Sequence, residues 1–323
     1  MSYERKIRWG IIGPGRIARD FAADAKYCRH GEIAAVASRS EKRARDFAME
    51  FGVRKHFGDY GSLFQDPGID AVYVATPHNF HFEQSMEGLR AGKAVLSEKP
   101  LTDQLTDTKA LVEFAREQDV YLMEGMWTYF LPAIQKAKRW VDEGRIGAVR
   151  HVKADFGFAL QYDPLQRHFN PDLAGGSLLD LGIYPIAFSW LFLQEDPEAM
   201  KVISRRAPNG VDSDVNMLFE YETATANLHA SFDVGLRNSA FIYGDQGYIE
   251  IPTFWHAREC TLFQEGKRTE RFRDKRKGIG FSFEMESVSC DLQEGKKESS
   301  VMPLANSLKF AEIMDRVMQH FDA

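Results

Sequence analysis

Ile7-Arg8-Trp9-Gly10-Ile11-Ile12-Gly13-Pro14-Gly15-Arg16-Ile17-Ala18 is the stretch on which the fold turns. An apolar run of strand length empties into Gly13-Pro14-Gly15, and the chain reads as helical from Arg16 and Ile17 onward. Glycines at 13 and 15 permit a tight turn and close backbone approach, while a helix start offers N–H groups to an anion such as a pyrophosphate. Ala18 takes the place of a third glycine. A lone G-x-G-x-x-A means little; it gains weight from lying between a strand and a helix near the N-terminus.

The same alternation continues downstream. Short apolar runs at Ile33–Ala37, Ala71–Ala75, Ala94–Leu96 and Val120–Met123 are separated by helical patterns, among them Glu41–Phe51, closed by Gly52, and Thr106–Gln118. Strands alternating with helices predict an α/β, Rossmann-type doubly wound parallel sheet, assigned to residues 1–124. A helix opening at Pro132 and stopping at Gly144 bridges to a second domain, residues 125–323. There the period becomes two: Val152, Ala154, Phe156 and Phe158, then Val215 to Tyr221, then Ala224 to Phe232. That predicts a C-terminal α+β domain with a largely antiparallel open sheet. Helices near 176–193, 281–294 and 305–321 are expected to cover one face of it.

The chain has 323 residues, long enough for two domains, and a net charge of −6. An excess of acid gives no broad basic surface for phosphate backbones, so a small-molecule substrate is expected and nucleic acid is not. Cys28, Cys260 and Cys290 show no C-x-x-C spacing, which predicts neither a disulfide framework nor a metal site. Met1 to Trp9 is charged, and no apolar span of about 20 residues stands out, so the expectation is a cytoplasmic protein without a membrane segment.

An NAD site usually places Asp or Glu about 20 residues past the glycine turn, at the end of the second strand. Here that place reads Ala37-Ser38-Arg39-Ser40, with Arg43 one turn on. A hydroxyl and a planar guanidinium suit a 2′-phosphate, so NADP is expected, with NAD possible. Glu98-Lys99-Pro100 follows an apolar strand, and a lysine there faces the crevice where such sheets bind ligands.

Gly13-Pro14-Gly15, Ala75-Thr76-Pro77, Glu98-Lys99-Pro100 and Gly175-Gly176-Ser177-Leu178-Leu179-Asp180-Leu181-Gly182-Ile183-Tyr184, in that order and spacing, resemble the Gfo/Idh/MocA family of oxidoreductases. Met123 to Pro132 and the tyrosine at 184 look closest to its subgroup of dimeric dihydrodiol dehydrogenases, NADP-dependent xylose dehydrogenases and glucose-fructose oxidoreductase. The resemblance implies an NAD(P)-dependent dehydrogenase acting on CH–OH groups of a sugar, polyol or trans-dihydrodiol. It further implies that Lys99 lies beside the nicotinamide, with Asp180 and Tyr184 facing it as catalytic partners. A phenol of ordinary pKa near ~10 ionises more easily beside a cation, which Lys99 would supply. Asp180 and Tyr184 are four apart, as on one helical face, although Pro185 disfavours helical geometry at Tyr184. Thr76, Pro77, His78, His81 and Glu98 complete the cofactor set; the family's asparagine after Thr-Pro is replaced by His78, while His81 fits. Trp127 and Phe156 offer an aromatic wall to the substrate, and Arg167 a charged group that reaches its hydroxyls. A homodimer through the outer face of the second-domain sheet is expected, from strands such as Thr225 to Phe232. The rival readings are a biliverdin-reductase-like or imine reductase and a non-catalytic dinucleotide-sensing regulator.

Overall fold

The computed structural model describes residues 5–321, so the first four residues of the charged N-terminal stretch lie outside it. The chain divides into two compact units. The first runs up to Trp127 and adds Arg276–Leu308; the second is Thr128–Lys275 with the chain from Lys309 onward. Each unit is thus discontinuous in sequence.

In the first unit β1 (Ile7–Ile12), β2 (Gly31–Ala37), β3 (Lys55–Phe57), β4 (Ala71–Val74), β5 (Ala94–Glu98) and β6 (Leu122–Gly125) form a parallel sheet of order β3-β2-β1-β4-β5-β6. Each of the five parallel crossovers carries a helix: α1 (Arg16–Ala25), α2 (Glu41–Phe51), α3 (Tyr60–Gln65), α4 (His81–Arg90) and α5 (Leu105–Glu117). α2 shows how the sequence sets such an element. The Ser40 hydroxyl accepts from the Arg43 N–H at its start, and Gly52, with φ of 67°, ends it in the left-handed region that glycine adopts without penalty. The strand order reverses between β1 and β4, which places the ligand crevice at their carboxyl ends.

In the second unit α6 (Pro132–Asp142) precedes β7 (Val149–Gly157), and α7 (Ile183–Leu193) precedes β8 (Ala199–Arg206), β9 (Asp212–Glu220), β10 (Thr225–Ser231), β11 (Ala240–Gly244), β12 (Gly247–Ile251), β13 (Glu259–Gln264) and β14 (Lys267–Arg273). They form one sheet of order β14-β13-β12-β11-β7-β10-β9-β8, in which only β7 and β10 pair in parallel. α6 and α7 cover its inner face. The run 171–193, which contains α7, is long and apolar enough to cross a membrane, but 89% of its most apolar stretch is buried inside the fold.

α8 (Phe281–Gln293) corrects an expectation. It was read as cover for the second sheet, yet it packs on α1, β1 and β2 of the first unit. The Asp24 carboxylate on α1 accepts from the N–H groups of Ile279 at 2.9 Å, Gly280 at 2.6 Å and Phe281 at 3.0 Å, capping α8 from 255 or more residues away. Phe281 then buries its ring against Phe21 and Trp127, a burial worth ~1.5–3 kcal/mol. Gly31 lets the helix close on the sheet, since a Cβ there would lie 2.7 Å from the Ser289 hydroxyl. α9 (Leu304–Met318) ends the described helices.

Candidate functional site

The glycine turn of the first unit is built as its sequence requires. Gly13 has φ of 78°, and a Cβ on it would meet the Thr76 methyl at 2.5 Å and the Ala75 carbonyl oxygen at 2.9 Å, so this turn also fixes the loop after β4. Above Gly15, by contrast, a Cβ would find nothing nearer than 3.8 Å. α1 starts there with no side-chain cap and no acidic residue in its first turn, so its leading N–H groups and positive dipole end suit a pyrophosphate. A cleft of about 410 Å³ adjoins the turn, lined by Pro14, Gly15, Arg16, Arg19, Asp20, Arg43 and Asp46. Ile17 lies in the same first turn.

At the end of β2 the Ser38 hydroxyl accepts from the Ser40 N–H at 3.2 Å, and Ser38 is buried. Its hydroxyl therefore shapes the turn. Arg39 and Arg43 are exposed, and the Arg39 guanidinium lies 5.2 Å from the centre of the Phe80 ring. No carboxylate occupies the place that an adenosine ribose would need for NAD.

After β4, Thr76 and Pro77 lead into a 3-10 turn at His78–Phe80 and then α4. The Thr76 hydroxyl donates to the Gln84 side-chain oxygen at 2.6 Å. His81 is fully buried, with Nε2 2.8 Å from the Thr76 carbonyl oxygen and Nδ1 2.8 Å from the Pro100 carbonyl oxygen. Both ring nitrogens are thus engaged by backbone, and His81 braces the loops after β4 and β5 against each other. His78 packs edge-on to it, ring centres 5.7 Å apart.

Lys99, 9% exposed, directly follows β5 and is joined to Pro100 by a cis bond. Behind it stands a group of acids, of which sequence reasoning had named Glu98 but not Glu284 or Glu124. The Tyr73 hydroxyl donates to Glu98, and Glu98 accepts from the Lys99 N–H at 3.3 Å. Glu284, one turn into α8, is fully buried, and neither of its oxygens has a hydrogen-bond partner among the described residues. Burial, reinforced by the nearby Glu98 charge, raises its pKa well above the usual carboxylate range. Burial also pushes Glu124 up to about 7, although the Leu101 N–H donates to it at 2.9 Å. Only a spacing signal across 160 or more residues would have joined Glu284 to Glu124, and periodicity carries none.

The second unit holds Asp180 and Tyr184. Leu178–Gly182 is a π-helical turn that runs into α7, and Pro185 falls in the first turn of α7, where a missing N–H costs least. The helical course through Tyr184 therefore survives Pro185. Gly175 and Gly176 allow the preceding loop to lie on this turn: a Cβ at Gly175 would sit 2.7 Å from the Arg167 carbonyl oxygen, and the Gly176 N–H donates to the His168 carbonyl at 3.0 Å. Arg167 is thereby brought to Asp180, its guanidinium donating to both carboxylate oxygens at 3.2–3.3 Å. The expected substrate contact is, in this structure, a clamp on Asp180.

Tyr184, 7% exposed, packs edge-on against Phe156 with ring centres 5.1 Å apart. Trp255 stacks on the other side of Phe156, also at 5.1 Å, and Phe158, 40% exposed, meets Trp255 at 6.2 Å. Trp255 was not anticipated; the compact aromatic triplet Phe254-Trp255-His256 was its only signal. Trp127 belongs to the first unit, buried and stacked on Phe281 at 4.6 Å.

Comparison with known proteins adds to this geometry. Residues 7–126 match the model of an oxidoreductase family with an NAD-binding Rossmann fold, and residues 134–250 match the GFO/IDH/MocA C-terminal domain. The chain is 36% identical to trans-1,2-dihydrobenzene-1,2-diol dehydrogenase of Mus musculus, over 96% of this chain and 95% of the relative. The Homo sapiens enzyme of the same name is 35% identical over 96% of each. Among solved structures, aldose-aldose oxidoreductase from Caulobacter crescentus, complexed with glycerol, superposes with a TM-score of 0.90 at 25% identity over 98% of this chain and 97% of that one. A 3-ketoreductase from Actinomadura kijaniata, complexed with NADP and TDP-benzene, gives 0.86 at 27% identity over 98% of both chains.

Proposed function

This chain belongs to the GFO/IDH/MocA family of oxidoreductases, and from that premise we propose that it transfers hydride between NADP and a secondary alcohol or hemiacetal hydroxyl of a sugar, polyol or trans-dihydrodiol. NADP would lie along the Gly13-Pro14-Gly15 turn, with its pyrophosphate at the start of α1 and its 2′-phosphate toward Arg39 and Arg43; the nicotinamide supplies the hydride acceptor. Tyr184 exchanges the hydroxyl proton, Lys99 favours the ionised phenol by its charge and orients the substrate oxygen, and Asp180 positions the substrate or the lysine. The observation that carries this reading is the setting of Tyr184: a hydroxyl on an aromatic wall of Phe156 and Trp255, on the same helical run as a carboxylate clamped by Arg167. Variants of the 3-ketoreductase neighbour that replace a tyrosine with phenylalanine and a lysine with alanine have also been solved. Incubating the protein with NADP and a panel of aldoses, inositols and trans-dihydrodiols should yield NADPH absorbance with at least one of them. NADPH consumption by imines or biliverdin-like alkenes, with the whole alcohol panel silent, would replace this reading with the reductase one.

The same reading includes a homodimer through the outer face of the second-unit sheet, with the apolar patch on strands other than β10. In β10 the apolar Ala226, Leu228 and Ala230 face the core, and Thr225, Asn227 and His229 face out. The outward apolar surface lies instead on β11–β13, where Phe241, Tyr243, Tyr248 and Phe263 form a ladder with neighbouring ring centres 4.5–5.8 Å apart. Such a half-buried aromatic face on a sheet is an association patch. Sedimentation at micromolar concentration should give twice the chain mass, and Tyr248→Lys should return the monomer. A wild-type monomer would end the proposal.

A further inference from the structure

At the amino ends of the first-unit strands, away from the glycine turn, three metal-ligating side chains of different kinds converge. His30 directly precedes β2, while Glu286 and Cys290 sit four apart on α8 and so share one face. His30 Nδ1 lies 2.7 Å from Glu286 Oε1, and Cys290 Sγ lies 3.5 Å from the same nitrogen. One donor atom from each residue falls within 4.8 Å of the others. None of the three takes part in the chemistry proposed above.

We propose that His30 Nδ1, Glu286 Oε1 and Cys290 Sγ form a binding site for a borderline divalent cation of the zinc type, with solvent in the fourth position. Tetrahedral zinc holds nitrogen at about 2.0 Å and thiolate at about 2.3 Å, which puts N and S about 3.5 Å apart, the separation already present. Nitrogen and carboxylate oxygen would stand about 3.3 Å apart on the same ion, so the His30–Glu286 hydrogen bond opens by roughly half an ångström as the metal enters. Such a shift is within side-chain reach. His30 and Glu286 are 39% and 29% exposed, leaving the ion a path from solvent.

The second carboxylate oxygen is already fixed. Glu286 Oε2 accepts from the Arg29 N–H at 2.7 Å, the His30 N–H at 3.1 Å and the Cys28 thiol at 3.0 Å. Outer donors of this kind orient a ligating carboxylate. Cys28 is therefore an orienting group here, and Cys290 the thiolate ligand, which releases its proton on binding. A bound ion would tie α8 to the α1–β2 connection. The proposal stands independently of the oxidoreductase reading.

Cobalt(II) tests it directly, because a thiolate ligand adds a sulfur-to-cobalt charge-transfer band in the near ultraviolet. The purified full-length chain should develop that band with one equivalent of cobalt and lose it on adding one equivalent of zinc. Cys290→Ser should abolish the band, and His30→Ala should weaken cobalt binding by more than the ~10–100-fold that loss of an outer partner costs. Cys28→Ser and Cys260→Ser should keep it. Far-ultraviolet circular dichroism of each variant separates loss of a ligand from loss of the fold; a folded Cys290→Ser that retains the band overturns the assignment. So does a wild-type chain that shows no band.

Discussion

Tyr184→Phe is expected to cut turnover by about 10²–10⁴-fold, the usual contribution of a positioned acid–base group, while leaving NADP affinity nearly intact. The substitution removes one oxygen and keeps the ring. Phe156 meets Tyr184 edge-on at 88°, and a phenylalanine preserves that contact and its burial. Stability should therefore stay close to wild type, and the lost rate reports on proton exchange. Lys99→Met should lower turnover by a similar factor, since charge is removed and the aliphatic stem remains. Kinetics on whichever substrate the panel identifies, beside NADP titration of both variants, decides the matter. Wild-type turnover in Tyr184→Phe would transfer proton exchange to Lys99 or His81, and His81, with both nitrogens engaged by carbonyls, would first have to let go of one loop.

How far a residue acts along the chain decides whether the sequence alone reveals its role. The left-handed φ of Gly13 and of Gly52 is a local demand, so the turn and the end of α2 were legible from local spacing, whereas the approach of Thr76 and Ala75 to Gly13 was not. Contacts made at long range were not. α8 looked like cover for the nearer sheet because its apolar positions say only that one face is buried, not against what; Asp24, on α1, decides that. The buried acids Glu284 and Glu124 were invisible for a related reason, since an acid in sequence reads as surface and only packing reveals it to be enclosed. Cys28, His30, Glu286 and Cys290 were passed over because the two halves of the cluster are more than 250 residues apart. For Arg167 the sequence did not carry its contact with Asp180: Gly175 and Gly176 let the loop fold back, and that delivers the guanidinium to the carboxylate.

Cofactor choice is the converse case, in which a local reading makes a quantitative demand. Arg39→Ala should weaken NADP by roughly 10 to 150-fold, because hydrogen bonds from a guanidinium to a charged phosphate contribute ~1.5–3 kcal/mol. NAD has no 2′-phosphate, so its affinity should barely change, and the ratio of the two affinities isolates the contact from any general damage to the site. Arg39 stands two residues past the end of β2, is exposed, and rests its guanidinium over Phe80, whose ring face favours a cation and limits its rotamers. Arg43, one turn along, contributes more diffusely because it lines the cleft beside Asp46 as well as Arg16 and Arg19. Arg43→Ala should accordingly cost less than Arg39→Ala. Exposed charges are screened within about 10 Å at 0.1 M salt, so the titrations belong at low ionic strength, and the NADP advantage should shrink as salt is raised. If Arg39→Ala binds NADP as tightly as wild type there, the 2′-phosphate does not lie at the end of β2, and the absence of an acid at that position would have to reflect something other than cofactor selection.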